Sequence, residues 1–218
     1  MKRFWLLAAA CAVWSYASWA AAASTTLIND TTLGRYNQGI GTSLNGTSSA
    51  FPTSTDPILT FSSAPDLTAA AAALGNWLTS PASPGGTWTG LQVIPSTWAV
   101  TTETAIIYSI NAATGLSNVV VSIGVDNGIF AWMDGSFLGG SMAPGGVVPG
   151  EFMVTVPTLA TGTHFLQLLR EDHGGDTGFT ILVSAPVLTA PVPEPGTLAL
   201  LAAGLLGVAT RRRLLGRY

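Results

Sequence analysis

Positive charge is nearly missing from the part of this chain where a folded domain would sit. The 218 residues include 8 Lys and Arg, yet only Arg35 and Arg170 fall within residues 24–194. All 11 Asp and Glu lie in that stretch, so its formal charge is 2 − 11 = −9, against −3 for the whole chain. So acidic a segment repels phosphate backbones, which argues against a nucleic-acid partner and leaves cations or neutral partners such as sugars. Cysteine is also scarce. Cys11 is the single one, and it lies in the N-terminal apolar block. If that block is removed, no disulfide framework, cysteine metal site or thiol nucleophile is available. Lipid attachment at Cys11 is the alternative, but Ala8-Ala9-Ala10 lacks the large aliphatic residue usual before such a cysteine. A small apolar residue in a signal core is the better reading. No Gly-x-Ser-x-Gly turn occurs, so a strained serine nucleophile is not signalled.

Charged residues make up 9% of the chain and hydrophobic residues 48%. Much of that apolar content sits at the two ends. Residues 1–23 begin with Lys2 and Arg3, continue through an uncharged apolar run, and finish in Ala20 to Ala23. This is the pattern of a secretory signal helix, cleaved by signal peptidase after export through the Sec machinery. A retained anchor is the alternative; the alanine-rich end favours cleavage near Ala23.

The C-terminal end is built differently. Pro193-Glu194-Pro195 is followed by Gly196 and Thr197, an apolar run over residues 198–209, and then Arg211, Arg212 and Arg213. The prolines keep the backbone extended and accessible. The apolar run predicts a transmembrane helix, shorter than the roughly 17–25 residues of a comfortable span. The arginines would stop transfer and stay cytoplasmic. This order resembles the PEP-CTERM sorting signal of Gram-negative bacteria. The resemblance implies recognition by exosortase, a membrane-embedded protease, with cleavage near Pro193-Glu194-Pro195. It also implies a final location at the cell surface or outside, in bacteria that make exopolysaccharide. An ordinary single-pass tail anchor is the alternative.

Between the ends, residues 24–95 are rich in Ser, Thr, Gly, Ala and Pro, a composition with weak core-forming power. The alanine run within residues 69–78 predicts one short helix, begun at Pro65-Asp66 and ended at Gly75. Asn29-Asp30-Thr31 and Asn45-Gly46-Thr47 fit a glycosylation sequon. Beyond residue 91, strand signals recur. Ile106, Tyr108 and Ile110 alternate, as do Val119, Val121, Ile123 and Val125. Further strands are expected over residues 129–133, 137–138, 151–156, 164–169 and 179–183, separated by Gly, Asp and Asn turns. With no helices alternating between them, the fold class is all-β, an antiparallel β-sandwich or jelly roll. The division expected is a signal peptide over residues 1–23, an exported domain over 24–190 and a sorting signal over 191–218. The segment from Asp126-Asn127-Gly128 to Asp134-Gly135 resembles one common in galactose-binding-like jelly rolls, which implies a fold more than a ligand.

Candidate chemistry is sparse. Arg170-Glu171-Asp172-His173-Gly174-Gly175-Asp176 is the richest polar segment. Asp172 and Asp176, joined by Asp126 and Asp134 at one end of a sandwich, are candidate Ca²⁺ ligands, since Ca²⁺ takes carboxylate oxygens. The bland alternative is a solvated loop in which Arg170 pairs with Glu171 or a neighbour and His173 is exposed. Otherwise no cofactor is expected. Glu103, Glu151 and Glu171 are the carboxylates available for glycoside hydrolysis, and no motif marks them. Trp88, in a Gly/Thr/Pro loop, is a candidate for stacking on sugar rings, whereas Trp132 reads as core. His164 is expected on a packed or edge face. The expected function is therefore a non-enzymatic, exosortase-sorted surface or matrix protein that binds exopolysaccharide. A secreted glycan-active hydrolase is the alternative.

Overall fold

A computed structural model describes residues 23–44 and 58–187 together with Gly204. The expected signal segment, Asn45 with its sequon, and the sorting tail lie outside these residues. Among the described residues no helix is long and apolar enough to cross a membrane.

Eleven strands appear among the described residues: β1 (Ser24–Ile28), β2 (Leu33–Gly41), β3 (Leu59–Phe61), β4 (Gln92–Val93), β5 (Glu103–Ala112), β6 (Leu116–Asp126), β7 (Gly128–Met133), β8 (Ser136–Met142), β9 (Phe152–Leu159), β10 (Gly162–Glu171) and β11 (Gly178–Pro186). They form a four-stranded sheet in the order β1-β11-β6-β9 and a seven-stranded sheet in the order β3-β8-β7-β10-β5-β2-β4. Neighbouring strands pair antiparallel throughout. The all-β sandwich expected from the strand pattern is thus the observed architecture.

Period-two alternation decides which side chains enter the space between the sheets. Val119, Val121, Ile123 and Val125 of β6 do so, and so do Ile106, Tyr108 and Ile110 of β5. Facing them are Leu166 and Leu168 of β10, Ile129 and Ala131 of β7, and Phe179, Ile181 and Val183 of β11. The hairpin from β7 to β8 turns on Asp134-Gly135, both at positive φ (51° and 77°). That is the type I′ geometry that a two-residue Asp-Gly loop favours. Asp126-Asn127, by contrast, carries the chain from the small sheet to the large one.

The large sheet is also buried on its outer face. Ala105, Ile107, Phe130, Trp132, Met142 and Leu169 form a second core there with Ile40, Leu44, Ala70, Leu74 and Trp77. Residues 67–90 supply the cover, which the Ser/Thr/Gly-rich composition did not announce. The expected short helix is a 3₁₀ turn at Thr68–Ala70 that runs into α1 (Ala71–Leu74). It stops at Gly75, whose φ is 58°. A Cβ there would collide with the Pro84 carbonyl, and one at Gly86 with the Ala73 carbonyl. Two glycines therefore let the segment fold back on itself. The Trp77 ring sits edge-on to Trp132 at 5.3 Å and stacks with Trp88 at 5.9 Å.

Trp77→Ala should therefore lower stability by about 3–5 kcal/mol, although it lies in the polar-looking third of the sequence. Leu182→Ala, at a site 49% exposed, should change it by less than about 0.5 kcal/mol. Equilibrium denaturation of both variants checks the contrast.

Candidate functional site

Strand ends gather the polar segment. β6 finishes at Asp126, β7 starts at Gly128, β10 finishes at Glu171 and β11 starts at Gly178. The pairings Gly178–Asp126, Glu171–Gly128 and Glu171–Glu103 place all of these at one end of the sandwich. Asp126, Asp172 and Asp176 belong to that end. Asp134 does not: it follows the far end of β7, a six-residue strand that spans about 20 Å. The four carboxylates proposed from sequence are therefore not brought together. Asp172 Oδ1 is buried without a hydrogen-bond partner, as an oxygen available to a cation would be. Among the described residues no three His, Cys, Asp or Glu side chains are grouped to hold a metal ion.

The loop after β10 is locked to its neighbours. Asp172 is 1% exposed, and its Oδ2 accepts the Thr101 N–H at 2.6 Å and the Gly174 N–H at 2.9 Å. Asn127 Oδ1 accepts the His173 N–H at 3.0 Å, and the Asn127 N–H donates to the Glu171 carbonyl at 3.0 Å. His173, expected in solvent, is buried with Nε2 3.1 Å from Glu171 Oε2.

Arg170 departs furthest from expectation. It does not pair with Glu171, because β10 continues through both residues and alternation sends them to opposite faces. Arg170 enters the space between the sheets and is fully buried. Its guanidinium carbon lies 4.1 Å from the Trp98 ring centroid, 4.7 Å from Phe179 and 5.5 Å from Tyr36. Nε donates to Thr104 Oγ1 at 2.8 Å and Nη1 to the Pro95 carbonyl at 3.0 Å. Burial lowers its pKa to about 10, so it stays charged at neutral pH, held by ring quadrupoles rather than by a carboxylate.

Of the three glutamates, Glu103 and Glu171 stand directly opposite on β5 and β10, side by side as cross-strand neighbours. Each is 1% exposed, which closes the pair to a substrate. Burial pushes the Glu103 carboxyl up to about 7, against the bond it accepts from the Leu44 backbone. Glu151 lies apart, beside Phe61 and Met153 in a groove of about 290 Å³. Its carboxylate accepts the Val125 N–H at 2.9 Å.

Trp88 is half-buried, and its Nε1 donates to the Leu74 carbonyl at 3.0 Å. Its ring stacks with Trp77. His164 sits on β10 with Nδ1 2.6 Å from Asp134 Oδ2 and Nε2 2.8 Å from the Ala160 carbonyl. The bond to Asp134 raises its pKa. Asp134 is thus a hairpin and strand clamp, also accepting the Phe165 N–H at 2.8 Å.

The raised Glu103 pKa sets a pH dependence. A carboxyl held protonated in the fold stabilises it below the unfolded pKa, and that contribution is lost as pH rises through about 7. Stability should therefore fall between pH 5 and pH 8, and Glu103→Gln should flatten the fall, gaining about 1–3 kcal/mol at pH 8. Denaturant midpoints across pH check it.

Comparison with known proteins bears on the tail more than on the sandwich. A search of the curated proteins finds no match. The GH2 β-galacturonidase from Eisenbergiella tayi, solved bound to galacturonate, has a similar region, 12% identical with a TM-score of 0.35. The match covers 75% of this chain but 24% of that one, so this chain spans about a quarter of the enzyme's length. The PA14 sugar-binding domain from an RTX adhesin is 14% identical with a TM-score of 0.36, covering 72% of this chain and 91% of that domain. The PA14 domain of the MpAFP antifreeze protein is 12% identical with a TM-score of 0.34, covering 74% and 85%. Likenesses so distant carry no argument about function. The C-terminal segment is another matter: residues 191–213 carry the PEP-CTERM protein-sorting motif.

Proposed function

We propose that this chain is an exported surface or matrix protein of a Gram-negative bacterium, sorted by exosortase, whose β-sandwich binds exopolysaccharide without catalysis. The sorting motif over residues 191–213 carries this reading. In it, the protein leaves through the Sec machinery, loses its signal peptide and stays in the membrane by its tail until exosortase cuts near Pro193-Glu194-Pro195.

The fold suits that course. β1 pairs with β11, Ser24 opposite Pro186, and the Val187 N–H donates to the Ala23 carbonyl at 2.7 Å. Ala23 and Val187 therefore lie together at one end of one sheet. Six residues lead from Val187 to Pro193, a reach of about 20 Å when extended. A protease could bind this stretch without pulling β11 from its sheet.

Non-enzymatic binding is favoured over hydrolysis by the sealed Glu103–Glu171 pair, since hydrolysis needs two carboxylates reaching a bound sugar. Glu151, which does border a groove, has no second carboxylate among that groove's lining residues.

Replacing Pro193, Glu194 and Pro195 with alanine should leave the protein in the membrane fraction with its tail attached, while the parent protein reaches the surface or the medium. Cell fractionation with detection of a tag after Tyr218 checks this. An unchanged distribution would count against exosortase processing.

A further inference from the structure

Arg35 and Arg170 are the only Lys or Arg among the described residues, and Arg170 is sealed between the sheets. Arg35, half-buried on β2, is thus the one described arginine that meets solvent. It sits in a groove of about 280 Å³ on the outer face of the large sheet, beside the second core. The floor comes from three paired strands. Arg35 is opposite Ile107 of β5, and Ser109 of β5 is opposite Phe165 of β10, with Thr163 two residues earlier. Leu91 forms part of the wall.

The guanidinium is oriented but not neutralised. Its Nη2 donates to the Ala82 carbonyl at 3.2 Å and its Nη1 to the Thr89 carbonyl at 3.5 Å. Both acceptors are uncharged, and a guanidinium has five N–H donors in a planar fork. That fork fits the two oxygens of a carboxylate. Phe165 is half-buried, and Ser109 and Thr163 are exposed. A partly open ring offers a face to sugar C–H groups, and two hydroxyls can exchange hydrogen bonds with sugar hydroxyls.

We propose that this groove binds carboxylated sugar chains, with Arg35 taking the carboxylate of a uronate residue and Phe165 packing under the ring. The proposal rests on the polysaccharide reading above and deepens it by naming a ligand class and a site. Asp134, joined to Phe165 by its backbone contact, is the nearby opposing charge, and its other oxygen is hydrogen-bonded to His164 at 2.6 Å. The other carboxylates of this acidic domain oppose a polyanion at long range, a repulsion screened over about 8 Å at physiological ionic strength, so the Arg35 contact must outweigh what remains of it.

The test titrates the mature exported protein with three polymers by calorimetry: alginate, its propylene glycol ester, and neutral dextran. Alginate should bind, and the ester should bind at least about tenfold more weakly. Arg35→Gln should lose about tenfold in alginate affinity or more. That variant could also loosen the Ala82–Thr89 wall, so Ser109→Glu is the second arm. Ser109 is exposed, and the added carboxylate should abolish alginate binding with the thermal midpoint unchanged. Wild-type alginate affinity in both variants, or equal affinity for the ester, overturns the proposal. Dextran binding that matches alginate and ignores both substitutions overturns it while leaving the polysaccharide reading intact. Failure of all three polymers to bind overturns both.

Discussion

The pairing of β1 with β11 fixes where the chain enters and leaves its folded part. Its last backbone bond, from Val187 to Ala23, brings together residues 187 − 23 = 164 positions apart in sequence. The two ends of the described domain, Ala23 and Val187, then lie together at one end of the four-stranded sheet. Cuts before Ala23 and after Val187 would remove no inter-sheet core residue of β1 or β11, which are Ile28, Phe179, Ile181, Val183 and Ala185. The tail follows β11, which is held between β1 and β6 in that sheet.

Charge is handled consistently with this arrangement. The exported part has two arginines, and each has a distinct place. Arg170 is stacked among Tyr36, Trp98 and Phe179, which draws on both sheets and on the segment before β5. It thereby fixes the start of the loop that holds Asp172 and His173. Burying a charge without a counter-ion is costly, and the three rings together with the Thr104 and Pro95 oxygens provide the compensation. Arg35 remains as the open positive charge on an otherwise acidic set of described residues.

Much of the sandwich was legible because β5 and β6 alternate cleanly and Asp134-Gly135 has the composition of its turn. The outer-face core was not. Leu44, Ala70, Leu74 and Trp77 are scattered among Ser, Thr and Gly, and they meet partners such as Phe130 and Leu169 far along the chain. No local period could signal such contacts. The polar segment after Leu169 was misread for a simpler reason. Strand β10 runs two residues further than its hydrophobic pattern suggests. Arg170 and Glu171 therefore alternate across the sheet instead of meeting in a loop. The expected proximity of Asp134 to Asp126 failed because a whole strand separates them, whereas Asp172 and Asp176 do lie at the Asp126 end. Arg35 was passed over because a lone arginine in a Gly/Asn-rich stretch carries no motif; only the register of β2, β5 and β10 reveals its groove.

The central claim is that both ends of this polypeptide are addresses removed from one folded module. The intact mass of the protein recovered outside the cell tests it most directly. A mass that begins after about Ala23 and stops near Pro195 is the predicted result. A recovered product that still includes Arg211, Arg212 and Arg213 would contradict it.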